Sequence, residues 1–444
     1  MSILHKALSM LEAHALCNHC LGRQFALLGH GIENDERGYA LKQTLVMKAH
    51  DLVLSGNKKG SKILKVLVTN GFSKAAGEVL EKIKPHDQPE HKPDACFLCE
   101  NRFNSLDDLA GKALSLLIDY EYNSFLVGTK LPVSVAERED EFRARFDVDH
   151  GENLKNEFGR VIGKKIAEIS RKPVDFKKPD IVVYVNPFAG RVEILSNPLF
   201  VAGRYRKLVR GMPQSKWFCS NCRGKGCEKC NWTGKMYLES VQEIIEDPFL
   251  RATDGTQSSF HASGREDIDV RMLGNGRPFV LEITKPRKRF LDLAKLEKEV
   301  NCHGKGKVKV SGLKPADRTL LRELKRGETK QKEYHVVMEF ENKITPKDLL
   351  TLKERLTNAT IQQKTPLRVL HRRADMTREK YIYEVNVKKM SPNKAEMRIR
   401  CQGGLYVKEL VTGDEGRTAN SVSEILSNKA KPLKLDVLNV IMEE

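Results

Sequence analysis

Paired cysteines are the feature that most restricts how this chain of 444 residues can fold. Eight cysteines fall into four Cys-x-x-Cys pairs, which are Cys17/Cys20, Cys96/Cys99, Cys219/Cys222 and Cys227/Cys230. This spacing lets both thiolates of a pair reach one tetrahedral ion from a single tight turn, and two pairs complete a four-sulfur site. The pattern therefore predicts two structural zinc ions.

The two predicted metal sites differ in how far apart their cysteines lie along the chain. The second site, over residues 219–230, is self-contained, and Gly224 and Gly226 allow the tight bends between its two knuckles. An iron–sulfur cluster is the alternative occupant of that motif. The first site joins two distant pairs, and the polar stretch 84–93 is predicted to be the loop that delivers Cys96.

Composition and charge limit the partners of the chain. Hydrophobic residues make up 40% and charged residues 31%, which is typical of a folded protein with several domains. The formal net charge of +18 predicts a polyanionic partner, most often nucleic acid, with a solvated basic surface as the alternative. No stretch approaches the about 18 consecutive apolar residues of a membrane span. We expect a cytoplasmic protein without membrane contact, and nothing in the sequence indicates more than a monomer.

Hydrophobic periodicity predicts an α+β multidomain chain with four regions. These are a mainly helical zinc-binding region at 1–104, a mixed α/β domain at 105–212, a small four-cysteine zinc module at 213–235 and an α+β mixed-sheet domain at 236–444. In the second region the predicted helices are 106–118 and 152–170, and the strands are 124–127, 180–185 and 191–195. In the last region the predicted strands are 279–284, 305–311, 333–340, 381–388, 396–402 and 433–441, and the helices are 290–300, 315–324, 346–356 and 406–412.

Two further segments carry charged residues in patterns that indicate chemistry. Residues 264–271 interleave acids with arginines ahead of a glycine-containing loop, and an Asp held beside Arg stays ionised and can act as a nucleophile. Residues 203–211 place basic residues around a tyrosine, a pattern that fits phosphate contact with base stacking and a solvated basic turn equally well. The basic residues of this segment are Arg204, Arg206, Lys207 and Arg210.

The acidic segment also carries a family resemblance. Gly264-Arg265-Glu266-Asp267 resembles the Arg-x-Asp signature of pseudouridine synthases, and the longer run to Pro278 resembles the archaeal and eukaryotic "Pus ten" family, tRNA pseudouridine synthases that act in the TΨC arm. Lys332-Glu333-Tyr334 is similar to the Lys-x-Tyr element of the superfamily. Residues 401–410 resemble the segment by which TruB-type enzymes bring a basic residue to the catalytic aspartate. Residues from about 105 to 210 are similar to a THUMP domain, an RNA-binding module.

The resemblance implies a role for each matching residue. Asp267, two residues after Arg265, is implied to be the catalytic carboxylate, with Asp269 as the second candidate. Lys408 is implied to pair with it, at a position where family members often have arginine. Tyr334 would pack against the target uracil or its ribose. Val407 and Leu435 would form apolar walls that exclude water from the base. The reaction needs no organic cofactor. Attack at C1′, addition at C6 and removal of the C2′ proton all remain open, as does the choice between tRNA nucleotides 54 and 55.

Two other functions fit part of the sequence. Another THUMP-bearing tRNA-modifying enzyme, a methyltransferase or a thiolation enzyme, would need a glycine-rich adenosyl-methionine or nucleotide loop, and the sequence contains none. A non-catalytic RNA-binding protein with two zinc modules would explain the charge and the cysteines. It would not explain the ordered set Asp267, Tyr334 and Lys408.

Overall fold

The computed structural model describes residues 2–83, 93–326 and 331–441. The chain divides into two compact units, Met1–Asn197 and Pro198–Glu444, and both combine helices with a sheet, which confirms the α+β multidomain class. The loop predicted at 84–93 lies outside the described residues except for Pro93. Among the described helices, none has the length and apolar character needed to cross a membrane.

Unit 1 begins with helices and continues with a small sheet. The helices are α1 Ile3–Ala13, α2 Asn18–Gly22, α3 Asn34–Leu54, α4 Lys59–Thr69, α5 Lys74–Ile83, α6 Leu106–Leu117, α7 Val133–Arg145 and α8 Leu154–Ser170. The strands are β1 Phe125–Thr129, β2 Ile181–Asn186 and β3 Arg191–Ser196. They form a three-stranded sheet in which β1 and β2 are parallel and β2 and β3 antiparallel.

One hydrophobic core serves the whole of unit 1. It contains Leu11 and Leu45 from the N-terminal helices together with Phe158 and Val183 from the mixed α/β part, all fully or almost fully buried. The main chains of α2 and α3 pack closely, since a Cβ atom on Gly22 would lie only 1.8 Å from the carbonyl oxygen of Asn34. Residues on either side of the boundary predicted at 104 therefore pack into the same core.

Unit 2 contains a nine-stranded mixed sheet with helices packed on it. Its strands are β4 Leu199–Lys207, β5 Gln257–Ala262, β6 Arg271–Thr284, β7 Val308–Ala316, β8 Gln331–Phe340, β9 Ala359–Lys364, β10 Thr377–Ser391, β11 Lys394–Gln402 and β12 Ala430–Val440. The order is β7-β4-β6-β12-β8-β11-β10-β9, with β5 paired to β6, and only β6 and β12 are parallel. The helices are α9 Val241–Thr253, α10 Leu293–His303, α11 Arg318–Arg326, α12 Pro346–Leu356, α13 Val407–Thr412 and α14 Val422–Ile425.

Each predicted element of the last region has a counterpart in unit 2, usually within a few residues at its ends. The sequence analysis did not identify β4, β5, β9, α9 or α14. Strand β4 pairs with β6 on one side and β7 on the other, and residues 198–212 belong to unit 2. This corrects their assignment to the preceding α/β domain. The strand was missed because basic residues alternate along β4 and resemble an exposed segment.

Candidate active site

A tight loop between β5 and β6 carries the acidic segment 264–270. It begins at Gly264, whose φ of +81° lies in the left-handed region that favours glycine. A Cβ atom there would also lie 3.2 Å from both the Arg277 Nη1 and the Lys332 Nζ atoms. The loop turns at Asp267, whose carbonyl oxygen accepts a hydrogen bond from the Val270 amide at 3.0 Å. Glycine at 264 is therefore needed both for the turn and for the space beside it.

Glu266 anchors this loop in the interior of unit 2. Its carboxylate accepts a hydrogen bond from the Arg277 Nε atom at 2.8 Å and from the Tyr205 hydroxyl at 2.9 Å. The side chains of Glu266 and Arg277 are 0% and 1% exposed. Gln214 extends the network, since its amide donates to the Tyr205 hydroxyl at 2.7 Å and to the Gly264 carbonyl at 3.0 Å. A buried charge pair thus holds the residue that precedes Asp267.

Lys207 holds the same loop through its main chain. Its ammonium is buried and donates to the carbonyl oxygens of Met212 at 2.8 Å, Asp267 at 3.0 Å and Ile268 at 3.2 Å. Burial lowers the pKa of this amine to about 8. All three of its donor positions are taken by the protein, so the prediction that Lys207 contacts RNA phosphate is wrong.

The carboxylate of Asp267 faces two cations. Its Oδ2 atom lies 3.0 Å from Arg368 Nη1 and 3.2 Å from Lys408 Nζ. Burial alone would raise the pKa of Asp267, but the charges of Arg368 and Lys408 and their hydrogen bonds outweigh burial and lower it. Asp267 is therefore ionised at neutral pH.

Lys408 contacts both aspartates that the spacing in the sequence could not distinguish, and the cavity lining distinguishes them. Its Nζ atom lies 2.8 Å from both carboxylate oxygens of Asp269, whose side chain is 66% exposed. Asp267 lines a cavity of unit 2, whereas Asp269 does not belong to the lining of that cavity. Only Asp267 is placed to act on a molecule inside that cavity.

This cavity has a volume of about 750 Å³ and is lined by six of the residues that the sequence analysis selected. They are Arg265, Asp267, Tyr334, Val407, Lys408 and Leu435. Tyr334 lies on β8, between β11 and β12 in the middle of the sheet, and burial raises the pKa of its hydroxyl. A neutral aromatic ring, an ionised carboxylate and two aliphatic side chains thus share one enclosure.

Several cations of the cavity were given no role by reasoning from the sequence. They are Arg277, Lys332, Arg368, Arg373, Arg378 and Lys380. Arg368 lies on a short 3-10 helix, Leu367–Arg372, and is held by Glu409 at 2.6 Å from its Nε atom. Burial, followed by the neighbouring Arg277 charge, lowers the pKa of Lys332 to about 8. The basic run at 368–373 was the only available signal for Arg368, and spacing gave no reason to place it near Asp267.

Comparison with known proteins identifies the family. The model described as "Pus10, C-terminal" matches residues 200–441, and the model "Pus10 THUMP domain, archaeal" matches residues 109–186. The chain belongs to the Pus10 family. A Pus10 protein of Methanocaldococcus jannaschii, named tRNA pseudouridine synthase, is 43% identical over 442 residues, which cover 97% of this chain and 93% of that protein. Its namesake in Methanothrix thermoacetophila is 39% identical over 440 residues, covering 99% of this chain and 94% of that protein.

The basic residues on β4 and just after it in this Pus10 family member mostly bind the protein's own main chain. Arg204 donates to the carbonyl oxygens of Asn275 at 2.7 Å and of Gly276 and Val440 at 2.9 Å. Arg210 donates to the carbonyl oxygens of Asp269 and Leu435 and to the Asp436 carboxylate. These bonds give Arg204 and Arg210 structural roles, and their phosphate contacts remain a prediction. Arg206 is half-buried and, with Arg204, lines a second cavity.

The eight paired cysteines form two groups that could each hold a metal ion. Within Cys17, Cys20, Cys96 and Cys99, and within Cys219, Cys222, Cys227 and Cys230, all sulfur atoms lie within 4.8 Å of one another. The Cys17–Cys99 and Cys222–Cys230 sulfur pairs are 3.6 and 3.8 Å apart. A tetrahedral ion with metal–sulfur bonds of about 2.3 Å requires about 3.8 Å. Main-chain amides of Cys17 and Gly226 also donate to cysteine sulfurs, as thiolate ligands require.

The second cysteine group, on residues 213–235, is flanked by a residue that contacts the cavity. The Trp217 ring lies 5.0 Å from the guanidinium carbon of Arg265 and packs edge-on against Tyr237 at 5.6 Å. Its carbonyl accepts the Met236 amide at 2.8 Å, which closes the two ends of the module. Arg265 is thus held by a cation–π contact to the base of the cysteine module.

Proposed function

We propose that this chain is a tRNA pseudouridine synthase that isomerises uridine in the TΨC arm, with Asp267 as the catalytic carboxylate. The Pus10 relatives are named tRNA pseudouridine synthases. Because the reaction is an isomerisation, we expect it to need no organic cofactor. The single observation that carries the proposal is the Asp267 carboxylate, which is kept ionised by Arg368 and Lys408 at the wall of a cavity shared with Tyr334.

The proposed reaction breaks the bond between uracil N1 and ribose C1′, turns the base and forms a bond from C5 to C1′. The proton on C5 is lost and N1 carries a proton in the product, so the mass is unchanged. An ionised carboxylate serves any of the three routes left open by the sequence. Lys408 and Arg368 maintain that charge, Tyr334 packs against the base or ribose, and Val407 and Leu435 exclude water.

The target uridine has to leave its stack before Asp267 can reach it, at a cost of a few kcal/mol. Cations of the cavity can offset this cost by binding phosphate. Lys332 and Lys380 suit this role because both line the cavity and neither forms an ion pair with a described residue. Phosphate contacts release counterions, so the logarithm of tRNA affinity should fall with the logarithm of the salt concentration.

We also infer that both cysteine groups hold structural zinc. Four protein sulfurs complete a tetrahedral site, which leaves no open position for substrate or water. Elemental analysis of the purified protein should give two zinc per chain. One or more iron atoms with bound sulfide at the 219–230 group would contradict this assignment.

The proposal is tested by mapping pseudouridine with chemical adducts on an unmodified tRNA transcript treated with the pure protein and no cofactor. Transcripts with cytidine at nucleotide 54 or 55 show which position is used. We expect adducts at 54, 55 or both. Binding of the transcript without any pseudouridine would favour a non-catalytic RNA-binding protein, and adducts confined to another arm would refute the TΨC assignment.

A further inference from the structure

The cysteine module at 213–235 exposes two aromatic side chains. Phe218 is 59% exposed and Trp232 is 73% exposed. Both residues adjoin the turn between the two knuckles. A Cβ atom on Gly224 would lie 3.1 Å from the Phe218 ring. A Cβ atom on Gly226 would lie 2.9 Å from the carbonyl oxygen of Trp232. A large indole on a solvent-facing metal knuckle contributes no core packing, so it needs another explanation.

The main chain at Trp232 strengthens this observation. Its φ of 61° lies in the left-handed region, which a bulky residue rarely occupies. Glycine or asparagine would adopt that conformation at lower cost, and the preceding Asn231 is also left-handed. Strain of this kind is often found where a side chain serves binding. The fold therefore keeps a tryptophan where a smaller residue would fit better.

Charge around the two aromatics is strongly positive. Arg223, Lys225 and Lys229 are exposed and form no ion pair with any residue that the structure describes. The two other lysines of the segment are paired, Lys216 with Glu246 and Lys235 with Glu243. Glu228 is the only acid between residues 216 and 235. Three exposed cations without an ion pair to a described residue thus lie in the same short segment as the exposed rings.

We propose that this face of the cysteine module binds RNA, with Trp232 stacking on an unpaired base and Arg223 and Lys225 contacting phosphates. Cations alone would suit any polyanion, but exposed aromatics interleaved with cations match single-stranded nucleic acid, because every base offers a face for stacking. This inference rests on the proposed function in one respect, namely that the RNA is the tRNA substrate. It assigns a contact outside the cavity that contains Asp267.

The test measures binding of the full chain to an unmodified tRNA transcript. Trp232→Ala should weaken binding about tenfold or more, and Trp232→Phe, which keeps a ring, should stay within about threefold of the wild type. Leu350→Ala, at an exposed apolar residue on α12, is the matched control and should bind as the wild type does. Arg223→Gln with Lys225→Gln should flatten the salt dependence, which Trp232→Ala leaves unchanged.

A second measurement keeps the test decisive if Trp232→Ala loses its metal. The emission of Trp232 is the difference between the wild type and Trp232→Phe, and stacking on a base should quench it when the transcript is added. Equal affinities of Trp232→Ala and Leu350→Ala, or an unquenched Trp232, would overturn the inference while leaving the synthase activity intact. Failure of the wild type to bind any tRNA would overturn both this inference and the proposed function.

Discussion

Replacing Glu266 by glutamine tests whether the buried charge pair anchors the loop that carries Asp267. Glu266 and Arg277 are almost fully buried, and the substitution leaves the Arg277 guanidinium without a compensating charge. Breaking a buried ion pair in this way costs about 3–5 kcal/mol of the free energy of unfolding. With a urea m-value near the upper end of the usual about 1–3 kcal/mol/M, the unfolding midpoint should fall by roughly 1–2 M.

Tryptophan fluorescence provides the assay, because both tryptophans, Trp217 and Trp232, lie in unit 2. Glu339→Gln is the matched control, since that carboxylate pairs with Lys394 and Lys431 at the surface and its loss should leave the midpoint near the wild-type value. The Glu266 variant should also have a lower kcat, because the main chain of Asp267 is less firmly held. Equal midpoints for the two variants would refute the anchoring role of Glu266.

Three further outcomes follow from the same geometry. Arg368→Gln should move the acid limb of the pH profile of kcat/KM to higher pH, because removing this cation raises the pKa of Asp267. Arg373→Gln, at another cation of the same cavity, is the control and should leave the acid limb in place. Lys207→Met should lower the melting temperature without changing the salt slope of tRNA binding, and a flatter slope would restore Lys207 as a phosphate contact. Cys222→Ser should release one of two metal equivalents in elemental analysis, and loss of both would show that the groups depend on each other.

Much of the fold could be predicted because its signals are local. The pattern of apolar residues placed α12 at its observed ends and located most strands of the large sheet within a few residues. Cys-x-x-Cys spacing likewise identified both metal-binding groups, although only the fold shows that Cys17 and Cys96 meet. Strand β4 was missed because its alternate positions are basic, which resembles an exposed RNA-binding segment. Burial of Lys207 could not be foreseen, since its partners are carbonyl oxygens and not acidic side chains.

The residues of the candidate site likewise include some that local motifs predict and some that only the fold brings together. Motifs selected Asp267, Tyr334 and Lys408, which the structure places around one cavity. Arg368 escaped notice because it reaches Asp267 from a distant part of the sequence, and no spacing rule links the two. The choice between Asp267 and Asp269 also needed coordinates, because residues two apart on an extended chain point the same way.

The most direct test of the central claim compares Asp267→Asn with Asp269→Asn in release of tritium from a tRNA transcript labelled at uracil C5. Both aspartates contact Lys408, but only Asp267 lines the cavity. We expect cofactor-free release by the wild type, substantial release by Asp269→Asn, and none by Asp267→Asn, with tRNA binding retained in all three. Continued release by Asp267→Asn would contradict the account.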